Sequence, residues 1–420
     1  MTGNISWDFE GGKLDGAREV APDHWELAIS GDGDEAGRNR SAIWFACQLD
    51  GMGGRQVTLD FVALEAEYNL RPANAWGPDT LPVLAPGPGS LAPEGRAWLR
   101  LRRDEIEWTP ASDDRTQRSL LRTRFMVPEG ERNTATLAYI EPYTYADHRR
   151  FVQRVTQRQN APSGILSHRV LGHSPEGREI DLLTVRGEQS HGSAWVVFRQ
   201  HPWETYSSYA AEGFVERLLA DEALRAEYTW QLVPMVNVDG CFHGHTRHNT
   251  RGKDPNREWC LVKPTPEVAC IREAIRAGEG GQPLFFLDVH NNNQQTVDYL
   301  QATNLSFGKS REAAQAVGAR YEALIARLAA LLAQRSHFSG TTRPSPWEER
   351  TGAPGVPGAP EREDALTPLM RSRKPFQFPS ALLEMRTGPL PTRGGAYGTL
   401  ADQRQLGAGL AEALALGLGE

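Results

Sequence analysis

Along the first 140 residues, short apolar and alternating stretches such as SAIWFACQLD, QVTLDFVALEA and AWLRLR are punctuated by GDGDEAGR, DGMGG and the proline-rich RPANAWGPDTLPVLAPGPGSLAPEG. Short strands separated by turn-forming clusters predict an antiparallel β-sandwich. The texture changes near residue 140. After PYTYADHRRFVQRV, the apolar runs AWVVFRQ, YTWQLVPMV and PLFFLDVH alternate with helical stretches including YAAEGFVERLLADEALRAE. That alternation predicts a mixed, mostly parallel sheet flanked by helices. REAAQAVGARYEALIARLAALLAQRS combines a helical period with high helix propensity and reads as a packing helix. From SGTTRPSPWEER to LTPLMRSRKPF the chain is rich in proline, glycine and charge, which marks a loop over a site or an insertion. The expected architecture is α/β, with a smaller antiparallel β-sandwich domain over residues 1–140 and a sheet-and-helix domain over residues 141–420.

Composition narrows the class without naming a chemistry. At 420 residues the chain exceeds what one hydrophobic core usually serves, in keeping with two domains. Hydrophobic residues make up 39 % and charged residues 24 %, and no apolar run reaches the roughly 18 residues of a membrane span, so no membrane partner is expected. The segment MTGNISWDFEGGKLDG lacks a basic stretch followed by an apolar one, which favours cytoplasmic residence. Cys47, Cys241, Cys260 and Cys270 lack the paired close spacing of a structural metal site and are too few to staple the chain; they read as reduced thiols. A net charge of −7 and a pI near 5.9 argue against a nucleic-acid partner, while leaving room for a local basic pocket. Oligomeric state is not legible.

Four short segments carry the chemistry. In HPWE, His201 and Glu204 stand three residues apart in a tight turn after the apolar strand AWVVFRQ, so an imidazole nitrogen and a carboxylate oxygen can face one Zn²⁺. In isolation the same pattern fits a surface histidine beside a helix-capping glutamate. His290 ends a second apolar strand, PLFFLDVH, and as third ligand leaves the fourth position of a catalytic zinc site open. Asp254 and Asp288 are candidates for orienting a ligand histidine through its other ring nitrogen. Between HPWE and His290, NVDGCFHGHTRHNTRGKDPNREW places Arg247, Asn256 and Arg257 in a polar, glycine-containing stretch. One arginine suits an oxyanion and the Asn-Arg pair a terminal carboxylate, whereas Arg251 and Lys253 read as solvated loop residues. Glu384, after the strand-like FPSALL, suits a general base that takes a proton from water and delivers it to a leaving amine.

In this order, HPWE, NVDG…R…DPNR.W, DVH and LLEMRTG resemble the zinc metallocarboxypeptidases of the carboxypeptidase A type, over roughly residues 140 to 415. The sandwich-like N-terminal region and the PYTY junction at residues 142–145 resemble more specifically the cytosolic carboxypeptidase branch. The resemblance implies one Zn²⁺ per chain held by His201, Glu204 and His290, with Arg247 stabilising the oxyanion, Asn256 and Arg257 holding the substrate's terminal carboxylate, and Glu384 as general base and acid. It implies peptide or protein C-termini as substrate, cleaved at the C-terminal peptide bond or at a glutamyl side-chain bond, with acidic leaving residues preferred and Arg371, Arg373 or Lys374 as providers of the basic pocket. The chain departs from the family in having no tyrosine between Tyr321 and Tyr397, where the mobile tyrosine over the substrate is expected. Two other readings stay open. A zinc deacylase of the aspartoacylase or succinylglutamate desuccinylase type shares the scaffold, and a catalytically silent peptide-binding protein would let the sandwich act alone.

Overall fold

The computed structural model describes residues 3–29, 31–34, 42–64, 75–88, 97–112, 117–157, 164–292, 294–303, 306–307, 311–344, 349–350, 376 and 378–419. Two five-stranded sheets form the N-terminal part. One orders the strands Asn4–Ser6, Ala46–Asp50, Thr134–Ala138, Val83–Pro86 and Leu99–Arg100, each neighbouring pair antiparallel. The other orders Gly16–Ala21, His24–Ala28, Gln56–Val62, Leu120–Met126 and Ile106–Thr109. Val57, Leu59 and Phe61 alternate along one strand and are fully buried, as a sheet with one covered face requires. Phe61 meets Phe45, which directly precedes a strand of the first sheet, with ring centroids 4.6 Å apart. The antiparallel expectation fails at one pair: His24–Ala28 runs parallel to Gln56–Val62. Between the two, the chain crosses to Ala46–Asp50 in the other sheet and so returns in its original direction.

The central sheet has eight strands, numbered here β1 (Leu166–His173), β2 (Glu179–Val185), β3 (Ser193–Phe198), β4 (Thr229–Val233), β5 (Pro283–Asn291), β6 (Tyr299–Ala302), β7 (Thr342–Arg343) and β8 (Ser380–Met385), in the order β1-β2-β4-β3-β5-β8-β6-β7. The inner pairs β4/β3, β3/β5 and β5/β8 are parallel. Every residue of β3 is buried, which explains its unbroken apolar run. Helices α1 (Tyr145–Thr156), α2 (Thr205–Ala220), α3 (Pro266–Arg276), α4 (Arg311–Ala333) and α5 (Leu400–Leu418) flank the sheet. Thr144 and Asp147 cap the start of α1 reciprocally. The junction before α1 is pinned to α2: the Tyr209 hydroxyl donates to the Pro142 carbonyl (2.7 Å), Tyr206 to Glu141 (2.6 Å) and Tyr143 to Glu212 (3.1 Å). None of the helices among the described residues is long and apolar enough to cross a membrane. The carboxyl ends of β3, β5 and β8 share one edge, the place where open α/β sheets bind ligands.

Candidate metal centre

After β3 the chain turns through Arg199, whose φ of 58° is left-handed. A non-glycine residue persists there only when its surroundings hold it. Arg199 is 2 % exposed, and its guanidinium donates from Nε to the Pro202 carbonyl (2.8 Å), from Nη1 to Ser208 Oγ (2.9 Å) and from Nη2 to the Tyr143 carbonyl (2.9 Å). The turn that presents His201 and Glu204 is thus tied to α2 and to the junction before α1. Gly240 closes on it from the other side. A Cβ there would lie 2.5 Å from Pro202 Cγ and 2.9 Å from the His248 carbonyl oxygen, so the glycine of NVDG permits the approach.

His201, Glu204 and His290 are all buried, and one donor atom from each lies within 4.8 Å of the others. His201 Nδ1 is 2.6 Å from one Glu204 oxygen and His290 Nδ1 is 2.9 Å from the other. The second ring nitrogens face carboxylates: His201 Nε2 is 3.1 Å from Asp254 Oδ1 and His290 Nε2 is 3.0 Å from Asp288 Oδ1. Two imidazoles and one carboxylate, each imidazole backed by a carboxylate, fit a zinc ion with an open coordination position. Asp288 is positioned in turn by Gln200, whose amide donates to Oδ2 (2.5 Å) and accepts from the Trp259 indole N–H (2.8 Å).

The electrostatics are set by mutual neutralisation. Burial would raise the Glu204 carboxyl, but the adjacent His290 and His201 hold it well below the usual range. Burial would lower His290, yet Asp288 and Glu204 push it well above the ordinary imidazole value. Asp254 is held low against its burial, first by Arg247 and then by His201 and Arg257. Arg247 Nε donates to Asp254 Oδ2 (2.7 Å), while Asp254 Oδ1 also accepts from the Asn256 backbone N–H (2.9 Å). Asn256 Nδ2 lies 3.3 Å from His290 Nε2, and Arg257 Nη1 donates to the Asn256 carbonyl (3.3 Å). Glu384 stands directly opposite His290 in the parallel β5/β8 ladder. Burial raises its carboxyl to about 7; His290 and Arg247 oppose the rise, and Glu204 and Asp288 add to it.

Several contributors escape motif reading. Asp32, from the N-terminal part, accepts from the backbone N–H groups of Thr246 (2.8 Å), Arg247 and His248 (3.0 Å), and so shapes the loop that carries Arg247. Tyr299 lies opposite Glu384 in the antiparallel β6/β8 pair, with the Arg343 guanidinium 3.8 Å from its ring centroid. Arg199 offered one weak signal, a charge ending an apolar run. Asp32, Gln200 and Tyr299 offered none. Arg371, Arg373 and Lys374 lie outside the described residues, as does most of the 340–375 segment read as a possible lid.

Residues 152–353 match the family described as zinc carboxypeptidase. That stretch, just under half of the chain, is similar to a zinc carboxypeptidase domain. The matched stretch includes His201, Glu204, Arg247, Asn256, Arg257 and His290, and Glu384 lies beyond it. An uncharacterised protein of Zymomonas mobilis is 31 % identical over 201 residues, 46 % of this chain and 49 % of that one. Cytosolic carboxypeptidase 6 of Caenorhabditis elegans is 24 % identical over 311 residues, covering 70 % of this chain and 63 % of the relative. Against these and cytosolic carboxypeptidase 3 of Mus musculus, the chain spans 29 % to 63 % of the relative's length. The carboxypeptidase fold extends further than the family match. A crystal structure described as a putative carboxypeptidase A from Shewanella denitrificans superposes with a TM-score of 0.74 over 99 % of both chains at 22 % identity. A metallo-carboxypeptidase from Pseudomonas aeruginosa, solved with (2-guanidinoethylmercapto)succinic acid, gives 0.71 over 98 % of both at 24 %.

Proposed function

We propose that this protein is a cytoplasmic zinc-dependent carboxypeptidase that hydrolyses the bond before the C-terminal residue of peptides or proteins, with residues 1–140 as an N-terminal domain and residues 141–420 as the catalytic one. One observation carries the reading: the donor atoms of His201, Glu204 and His290 gather at the carboxyl edge of the sheet, with the partly desolvated Glu384 on the adjoining strand. His201, Glu204 and His290 would hold a zinc ion, which would supply Lewis acidity towards the scissile carbonyl and water. Glu384 removes the proton from the attacking water and passes it to the leaving amine; a carboxyl raised to about 7 by burial is suited to both directions. Arg247, fixed by Asp254, offsets the negative charge that develops on the carbonyl oxygen. Asn256 and Arg257 hold the terminal carboxylate of the leaving residue. An acidic leaving residue is the preferred one.

Digestion of a peptide library varied at its C-terminal residue, read by mass spectrometry with zinc and with chelator, tests this. Stepwise, chelator-sensitive loss of C-terminal residues, fastest from Glu and Asp ends, is expected. No trimming by zinc-loaded protein overturns the peptidase reading, and trimming without acidic preference overturns the specificity alone.

A further inference from the structure

Away from the metal centre, one face of β1, β2 and β4 carries a cavity of about 480 Å³. The register fixes its place. Thr229 of β4, Ser193 of β3 and Pro283 of β5 lie abreast at the amino edge of the sheet, and His290 follows seven residues further along β5, about 23 Å at roughly 3.3 Å per residue. Ser167, Thr184 and Gln231 stand opposite one another across β1, β2 and β4. Two positions along on the same face are Arg169, Arg186 and Thr229, so the floor is polar where a covered sheet would be apolar. Glu279 and Gly280, in the turn between α3 and β5, close one side. A Cβ on Gly280 would lie 2.2 Å from Gln231 Nε2, so the glycine lets the turn approach the amide.

We propose that this cavity is a second binding site, for a small oxyanion bearing a carboxylate or phosphate group. Gln231 is 2 % exposed, and its two amide atoms are treated differently: Oε1 accepts from the Thr184 hydroxyl (2.6 Å), while Nε2 has no partner among the described residues. A donor held in so buried a residue is costly to leave unmade, and an acceptor on a ligand relieves that cost. The Arg186 guanidinium and the Ser167 hydroxyl line the same cavity and are likewise without a partner among the described residues. Arg169 pairs with Glu279, which neutralises the carboxylate in the wall and leaves the cavity the positive charge of Arg186. Each group left to bind can donate a hydrogen bond, and the charged one is a planar fork that matches a carboxylate or phosphate. The volume lies within the roughly 300–1,000 Å³ of small-molecule pockets. The site stands apart from the proposed hydrolytic chemistry and does not depend on it.

Calorimetry of the whole zinc-loaded chain against inorganic phosphate and, separately, against glutarate tests the site and distinguishes the two sources of the anion. Tighter binding of phosphate assigns the ligand to phosphorylated compounds, and tighter binding of glutarate to carboxylates. Arg186→Gln is expected to weaken the preferred probe at least about tenfold and Ser167→Ala about threefold, as the loss of a charged and of a neutral hydrogen bond implies. Both side chains are exposed, so Tm and zinc content should stay at wild-type values in either variant. Arg257→Gln, measured alongside, reports any anion held at the metal centre instead. Binding that Arg257→Gln removes and Arg186→Gln leaves intact overturns the site. So does the absence of binding of either probe at about 10 mM, or an affinity unchanged in both Arg186→Gln and Ser167→Ala. Because the readout is binding, a protein that trims no peptide overturns the carboxypeptidase reading and leaves this result standing.

Discussion

Glu384 and Glu204 belong to one site and are driven in opposite directions. Burial lifts Glu384 to about 7, while two imidazoles hold Glu204 low against the same burial. Two carboxylates so separated suit the proposed division between proton transfer by Glu384 and ligation by Glu204. Glu384→Gln is therefore expected to lose roughly 10²- to 10⁴-fold in kcat, the usual scale of general acid–base catalysis, while zinc content by metal analysis stays at one per chain. Retained turnover would remove Glu384 from the mechanism. Asp254 acts one step further out, fixing both His201 Nε2 and Arg247 Nε. Asp254→Asn should weaken zinc roughly 10- to 100-fold in a competition titration against a chelator and also lower kcat, since one carboxylate orients a ligand and the arginine proposed for the oxyanion.

At the scale of elements, the site depends on how closely the 238–242 helix approaches the HPWE turn. Gly240→Ala sets a methyl group against Pro202 Cγ at 2.5 Å and Asn237 Oδ1 at 2.7 Å. The cost is on the order of 1–3 kcal/mol of stability, read as a lower urea midpoint, together with weaker zinc binding; an unchanged midpoint and affinity would show that the approach is not tight. The strands were legible because β3 and β5 are covered on both faces, which leaves continuous apolar runs, and the grouping of His201, Glu204 and His290 because two chemically distinctive motifs, HPWE and DVH, sit at strand ends. The parallel pairing of His24–Ala28 with Gln56–Val62 was not, since direction depends on the crossover between them. Arg199 and Asp32 were not legible either. Their partners lie as far as 216 residues away, and no local pattern records a contact of that span.

Taken whole, the molecule carries one buried carboxylate whose protonation reports on assembly. Asp181 in β2 receives His148 Nε2 (2.7 Å) and Arg149 Nη1 (2.9 Å) from α1 and His168 Nε2 (2.6 Å) from β1. Burial would raise its carboxyl; the His148 hydrogen bond and charge, helped by His168 and Arg149, instead lower it to about 2. A depressed carboxylate contributes stability that is fully present above its unfolded value near 4 and is lost as pH falls towards 2, here about 2 kcal/mol. Urea midpoints between pH 5 and pH 2 should fall less steeply in Asp181→Asn than in wild type, and parallel curves would deny the linkage. The Asp32 carboxylate, capping three consecutive amides some 214 to 216 positions downstream, has a different consequence. The chain is not a catalytic cassette with a detachable front piece. A chimaera that exchanges the first 140 residues for those of a relative inherits a working arginine loop only if the donor supplies an acceptor in the same place, so recombination between such halves is filtered first by one aspartate.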